Sequence, residues 1–598
     1  FMVTGGAAMH LNDALGNHPD LEYICCHHEQ ACAMAAESYF RLSGKMAAVN
    51  VTAGPGSINA LNGVFGAYVD SMGMIVISGQ AKRETMVRNY DIPLRQLGDQ
   101  EVDIISMVRP ITKYATVLQE PETVKQVMEK AIFLANHGRP GPVWIDVPID
   151  VQAAPIDDPE DLPAFDPEDI ETILNDIHLA DNTKGEFDII ASSELDSAIG
   201  KILTKLTSAL RPVVFVGAGV RISGAHDIFL EVISKIGVPV VTGWNAHDII
   251  PNDHPQYAGR PGTVGDRAGN FSVQNADFLL VLGSRLNIRQ VSYNWESFAR
   301  HAWIAQVDID PAELSKPTLR IDQPVHAHLL DFLEKIKDKF KDYDIPKTHT
   351  DYLKWCKNKV KRYPVVLAEY WKSDKVNPYC FMEQLFPLLK PDDIIVTGDG
   401  TACVTSFQAA KLKKDQRLYT NSGCASMGYG LPGAIGASIA LNKNRVICIT
   451  GDGSLMLNIQ ELQTIIGYSL PVKIFVLNNS GYHSIRQTQL NHFSTNPEVG
   501  VGPVSGLTFP DFNKLAKSFG FRQESIKGTN EMKTELKRAL NYKGPVLCEV
   551  MLDLKQEFSP KLASKNLKDG SMISSSLENM SPFLSEKELE ENMLVDLD

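Results

Sequence analysis

Long apolar runs are missing from this chain. None reaches the ~20 residues that a membrane-spanning helix needs, which excludes a bundle of transmembrane helices. The opening FMVTGGAAMH does not follow the basic-then-apolar layout of a secretory signal. Cysteine is sparse and unpatterned. Nine residues, an odd number, are scattered over 598 positions with no CxxC pair. That excludes a disulfide scaffold or a zinc ribbon. Most of the nine lie in apolar stretches, Cys448 among them, and the adjacent Cys25 and Cys26 are read without a redox role. Buried, reduced thiols point to the cytoplasm. Basic charge is in deficit as well: 58 Lys and Arg against 72 Asp and Glu give a net charge of −14. This argues against nucleic acid as a partner.

What the chain does have is length and a repeated α/β grammar. With 598 residues it exceeds one ordinary hydrophobic core, and three domains are expected. Hydrophobic content of 44% and charged content of 22% are those of a globular protein. Buried strand, glycine turn and amphipathic helix recur in three blocks, so the expected fold is α/β with three doubly wound parallel sheets. The first block covers 1–150, with strands at 46–52, 74–78 and 143–146. An acidic, proline-bearing stretch, 151–196, reads as a solvated linker. The second block, 197–345, opens with strand 212–216. A lysine-rich helical connector, 346–376, leads to the third block, 377–555. The tail, 556–598, is polar and reads as strand-free, with a short acidic helix near 585–593.

The densest signal is RVICITGDGSLMLNIQELQTIIGYSLPVKIFVLNNSGY. Arg445–Thr450 reads as a buried parallel strand, and the glycines of Gly451-Asp452-Gly453 let the backbone turn tightly beside a phosphate. A helix of roughly three turns is expected next, then a strand, Val472–Leu477, ending on Asn478-Asn479. Both strand ends fall on one edge of one sheet, where α/β ligands bind. Asp452 offers a carboxylate, Asn479 an amide oxygen and the backbone near Gly481 a carbonyl. With two diphosphate oxygens and a water they complete the octahedron Mg²⁺ requires.

A second GDG, Gly398-Asp399-Gly400, follows strand 393–397. At the same offset stands Cys424-Ala425-Ser426, which has no metal ligand. This turn reads as backbone amides on the diphosphate, nearest at Gly400 and Thr401, with Asp399 outside the metal shell.

In the first block His27-His28-Glu29-Gln30 precedes the helical run ACAMAAESYFRLSGK, and strand 46–52 leads into Gly54-Pro55-Gly56-Ser57-Ile58-Asn59. Gly79-Gln80 follows the next strand, and MGYGLPGAIGA spans Met427–Ala437. In order over nearly the whole chain, these resemble the acetolactate synthase (acetohydroxyacid synthase catalytic subunit) family of thiamin-diphosphate (ThDP) enzymes. The resemblance implies a pyrimidine-binding first domain lacking its first helix, a central domain and a diphosphate-binding third domain. It implies ThDP and Mg²⁺ as cofactors, with Glu29 as the acid/base at the coenzyme ring, Met427 beneath the thiazolium and Gln80 near the substrate. Pro55, Asn59, Gly453 and Ser454 would join Gly400 and Thr401 around the coenzyme, and Lys113 falls near the substrate entrance. His27 and His28 read as supporting rather than catalytic residues. Active sites between subunits of a homodimer or tetramer are implied too.

In the second block Gly217-Ala218-Gly219 and Gly283-Ser284-Arg285 follow strands, and Asp308 ends a third. In the family these positions hold FAD, through Gly217, Gly219, Gly283, Arg285 and Asp308, with Gly259–Val264 approaching its ring. A simple strand–helix turn would look the same. The family's tryptophan after NN is replaced by Thr488. The phrase GYHSIRQTQ and the tail SLENMSPFL resemble acetolactate-synthase-like proteins of polysaccharide clusters, where Arg486 would meet a phosphate or carboxylate. The expected function is decarboxylation of pyruvate and transfer of its two-carbon unit to a second 2-keto acid. The alternatives are transfer to a nucleotide-linked keto-sugar and simple 2-keto-acid decarboxylation.

Overall fold

Strands too apolar to alternate are buried on both faces, the mark of parallel sheets covered by helices. The computed structural model describes residues 1–156, 158–341, 343–493, 495–566 and 572–596. It holds three all-parallel sheets. The first contains β1 (Ala47–Val51), β2 (Met74–Gln80), β3 (Tyr114–Val117) and β4 (Pro142–Pro148), in the order β1-β2-β4-β3. The second contains β5 (Pro212–Val216), β6 (Val240–Thr242), β7 (Phe278–Leu282), β8 (Trp303–Asp308) and β9 (Gln323–His326), in the order β6-β5-β7-β8-β9. The third contains β10 (Ile394–Thr397), β11 (Arg417–Tyr419), β12 (Val446–Gly451), β13 (Lys473–Asn478), β14 (Arg522–Ile526) and β15 (Val546–Met551). Its order is β11-β10-β12-β13-β15-β14.

These orders place the sites. From β5 the chain turns to β6 on one side and later to β7 on the other. From β10 it turns to β11 and later to β12 in the same way. The carboxyl ends of β5/β7 and of β10/β12 therefore border switch points, where open α/β sheets bind ligands.

The first and third domains lock through two helices. Glu29–Ser43 lies against Gly430–Ala440, so close that a Cβ on Gly436 would stand 2.0 Å from the Ala35 carbonyl oxygen. Beside this contact Glu37 accepts hydrogen bonds from Tyr429 and Arg41, and Arg41 also pairs with Asp70 at 2.8 Å. Burial raises the Glu37 carboxyl above its ordinary range, while Arg41 opposes that rise.

Three expectations from the sequence are corrected. The acidic stretch keeps Asp158, Glu160, Asp161, Asp166, Glu168 and Asp169 exposed but is more than a bare linker: it carries short helices at Ile170–Leu174 and Asp181–Lys184, and Leu162, Ile173 and Leu179 are buried. Its Glu186 pairs with Lys113 at 2.7 Å. The helix after Gly453 is broken into Asp452–Met456 and Glu461–Gly467. The tail does form strands, Ser564–Asn566 antiparallel to Met572–Ser574. It is strapped down as well, with Leu577 and Met580 buried and Glu578 paired with Arg300 at 3.1 Å. The acidic helix is present as Glu586–Glu590, capped by Ser585. Among the described residues no helix is long and apolar enough to cross a membrane.

Candidate active site

The turns after β10, β12 and β13 converge on a cavity of about 340 Å³. Gly400, Thr401, Met427, Asp452, Gly453, Ser454, Asn479 and Gly481 all line it. The sequence reading named all eight. Thr401 opens the helix Thr401–Ala409, so that helix's unpaired first amides lie at the cavity edge. The Ser454 hydroxyl accepts a hydrogen bond from the Gly428 amide at 2.9 Å and steadies the turn that carries Met427.

The metal ligand set can be tested on this geometry. The two Asp452 oxygens accept backbone hydrogen bonds from Gly453 at 2.8 Å and Gly481 at 3.0 Å. Burial pushes the carboxyl up to about 6 against those donors. Asn479 donates its amide to Thr401 Oγ1 at 3.2 Å, and its Oδ1 is buried without a partner. An orphaned buried oxygen is costly unless something fills its place. Carboxylate, amide oxygen and backbone carbonyl are the hard donors Mg²⁺ selects, so the residues present fit the ion. Gly481 has φ +149°, and a Cβ there would stand 1.8 Å from the Val501 carbonyl oxygen, so only glycine fits. Among the described residues no three His, Cys, Asp or Glu side chains cluster as a metal site.

Glu29, Pro55 and Asn59 are not part of this cavity. They form a separate cluster at the first domain. Glu29 is buried at the start of its helix and accepts from Asn59 Nδ2 at 3.0 Å, and Pro55 opens the helix Pro55–Asp70. His28 caps the Glu29 helix through Nδ1, and the His27 amide donates to Glu461.

Gln80 is corrected. It is 1% exposed, donates to Asp146 at 2.8 Å and to the Val102 carbonyl, and accepts from the Ala81 amide, so it faces the interior. Lys113 is likewise consumed by Glu186 and two carbonyls, under burial that lowers its affinity for the proton. Arg486 is held by contacts within the chain. It ties the Asn479, Ser480 and Val501 carbonyls together and pairs with Glu498 at 3.5 Å.

A second cavity, about 470 Å³, opens at the β5/β7 switch point. Gly217, Gly219, Gly283, Arg285 and Asp308 all line it, as the sequence reading grouped them. Burial lifts the Asp308 carboxyl to about 6, against the hydrogen bond it accepts from the Asp310 amide. The stretch Gly259–Val264 does not itself line this cavity, but Gly262 and Thr263 pack on Arg289 and Gln290, which do. Arg260 grips the Phe407 and Ala410 carbonyls, and Val264 lines the coenzyme cavity instead.

Sequence reasoning missed Arg289, which lines both cavities. Its guanidinium lies 5.1 Å from the Trp244 ring centre, and Trp244 stacks on Phe407 at 4.7 Å. His483 and Phe558 were also missed as cavity residues. His483 is held by the Gln556 carbonyl at 2.8 Å, and Phe558 meets its ring edge-on. No local motif marks these residues, since each reaches the site from a different segment.

Three parallel-sheet domains, with a hard-oxygen metal cradle in a turn-lined cavity of the third, define a thiamin-diphosphate-type α/β protein. Three family models agree. The thiamine pyrophosphate enzyme N-terminal TPP binding domain matches residues 1–107, the central domain 199–336 and the C-terminal TPP binding domain 398–550. The acetolactate synthase large subunit of Lactococcus lactis is 30% identical over 94% of this chain and 91% of its own length. A probable acetolactate synthase large subunit of Methanocaldococcus jannaschii is 32% identical over 92% and 89%. The isozyme 3 large subunit of Escherichia coli is 30% identical over 90% and 89%. The chain belongs to the acetolactate synthase large-subunit family of ThDP-dependent enzymes.

Proposed function

We propose that this enzyme is a ThDP- and Mg²⁺-dependent carboligase that decarboxylates pyruvate and joins the two-carbon unit to a second pyruvate, giving 2-acetolactate. The observation that carries the reading is the meeting of Asp452, Asn479, Gly481, Gly400, Thr401 and Met427 in one cavity, with Asn479 Oδ1 left for a ligand. Bound ThDP supplies the electron sink that lets the carboxylate leave as CO₂. Asp452, Asn479 and the carbonyl at Gly481 would hold the ion, and the amides at Gly400 and Thr401 would receive the diphosphate, with Gly453 and Ser454 shaping the turn beside it. Met427 gives the ring an apolar seat. Glu29, positioned by Asn59 and flanked by Pro55, holds and passes a proton at the ring.

The same chain's Glu29 cluster lies outside the cavity, which favours a homo-oligomer whose sites are completed by a second copy. Half-exposed apolar side chains beside both halves, Ile58 and Phe65 on one and Leu457 and Ile485 on the other, supply the surface for that contact. The glycine turns and Asp308 around the second cavity support FAD there. Nine free cysteines suit a reducing cytoplasm.

The test is incubation with ThDP, Mg²⁺ and isotope-labelled pyruvate, with products identified by mass. Acetolactate is expected. Acetaldehyde alone would reassign the enzyme as a simple decarboxylase, and unconsumed pyruvate would end the reading. Acid release of a yellow, fluorescent flavin from purified protein tests FAD.

A further inference from the structure

Asp399 takes no part in the roles above. It stands in the turn after β10, at the switch point, and lines the coenzyme cavity with Met427, Arg289, His483 and Ile485. One carboxyl oxygen accepts from the Cys403 thiol, a weak donor, at 3.7 Å, and the other, Oδ2, is buried without a hydrogen-bond partner. The nearby Thr420 hydroxyl is committed to the Thr397 carbonyl at 2.9 Å. A carboxylate so placed lacks the donors that would stabilise its charge. The groups facing it are the Arg289 guanidinium from the segment after β7, Asp70 at the end of the helix Pro55–Asp70, Cys403 on the following helix, and Cys424. Burial outweighs Arg289 and pushes the carboxyl up to about 7. A group half-protonated near neutrality is the best compromise between holding a proton and giving it.

Ligation needs such a donor. When the C1–C2 bond of pyruvate breaks and CO₂ leaves, the electron pair stays with the two-carbon unit. That pair forms the new bond to the acceptor's carbonyl carbon, and the carbonyl π pair moves onto oxygen, which must take a proton. Two pyruvate anions and one proton give one acetolactate anion and CO₂, so the donor is recharged from solvent. We propose that Asp399 is the proton donor to the acceptor's carbonyl oxygen. This rests on the carboligase reading above.

The test compares wild-type holoenzyme with Asp399→Asn and Asp399→Glu. The first readout is the ratio of acetolactate to acetaldehyde formed from pyruvate, which within one preparation does not depend on the folded fraction. Asp399→Asn should lower that ratio by about 10² or more, and Asp399→Glu should restore part of it. The wild-type ligation rate should fall as pH rises past about 7, and Asp399→Asn should lose that limb. The second readout needs no turnover. The infrared difference between wild type and Asp399→Asn, without pyruvate, should show a protonated carboxyl band that titrates near neutrality. An unchanged product ratio, or a band titrating in the ordinary carboxylate range, overturns the proposal while leaving the carboligase reading intact. Wild-type protein that consumes no pyruvate overturns both.

Discussion

Asn479 donates its side-chain amide to Thr401 Oγ1 at 3.2 Å, and the carbonyl oxygen of the same amide group is buried without a hydrogen-bond partner. The pair joins the turn after β13 to the helix after β10. It fixes which end of the amide is left for a cation.

Removing that oxygen should weaken the ion more than the fold. Asn479→Ala is expected to raise the Mg²⁺ concentration needed for half-maximal ThDP binding at least tenfold. Thr401→Val, which frees the amide to rotate, should have a smaller effect of the same sign. Calorimetric titration of ThDP at several Mg²⁺ concentrations measures both, and equal Mg²⁺ dependence in wild type and Asn479→Ala would remove Asn479 from the metal shell.

Glu29 and Asp452 belong to different clusters of one chain, so their losses should complement. Glu29→Gln should lower kcat by roughly 10²–10⁴, and Asp452→Asn should abolish metal-dependent activity. Co-refolding the two inactive variants should return activity, because a mixed dimer holds one intact site. Failure to recover any, with mixed dimers present by native mass spectrometry, would place both residues in a site formed within one subunit.

Asp308 gives a pH-dependent stability. Its carboxyl rises from 3.8 to about 6 on folding, with burial the first cause. The folded state therefore binds more protons than the unfolded state between about pH 4 and 6, and unfolding free energy falls as pH rises through that window. The full cost above pH 6 is at most about 3 kcal/mol. Asp308→Asn keeps the acceptor for the Asp310 amide without the charge. Its melting temperature relative to wild type should climb between pH 4 and 7, and an offset that stays flat with pH would count against a raised carboxyl.

Gly436 sets the approach of the first and third domains. Gly436→Val should cost about 1–3 kcal/mol or more by overpacking against Ala35. Gly467→Ala, where a Cβ meets nothing, should be neutral or slightly stabilising as a helix substitution. Denaturant melts of the two variants compare them directly, and equal midpoints would refute the close packing.

The strands were legible because a strand buried on both faces is a contiguous apolar run. Pro212–Val216 and Phe278–Leu282 were read to the residue, and Val446–Gly451 was displaced by one. Ligands carried on one strand–turn–strand segment, Asp452, Asn479 and Gly481, were legible for the same reason: covalent geometry brings the strand ends to one sheet edge. The acidic stretch was misread because surface charge masks the few apolar residues, Leu162, Ile173 and Leu179, that hold it down.

The sequence by itself determined the α/β repeat, the two switch-point turns and the chemistry of the metal cradle, since each is written in neighbouring residues. Only the tertiary structure decided what the long polar side chains do. Gln80 is spent on Asp146, Arg486 on Val501, and Arg289 lies over Trp244 between two cavities while Asp399 keeps a bare oxygen. A side chain's hydrogen-bond partner comes from whatever distant segment the fold packs against it, and no local pattern of residues encodes that.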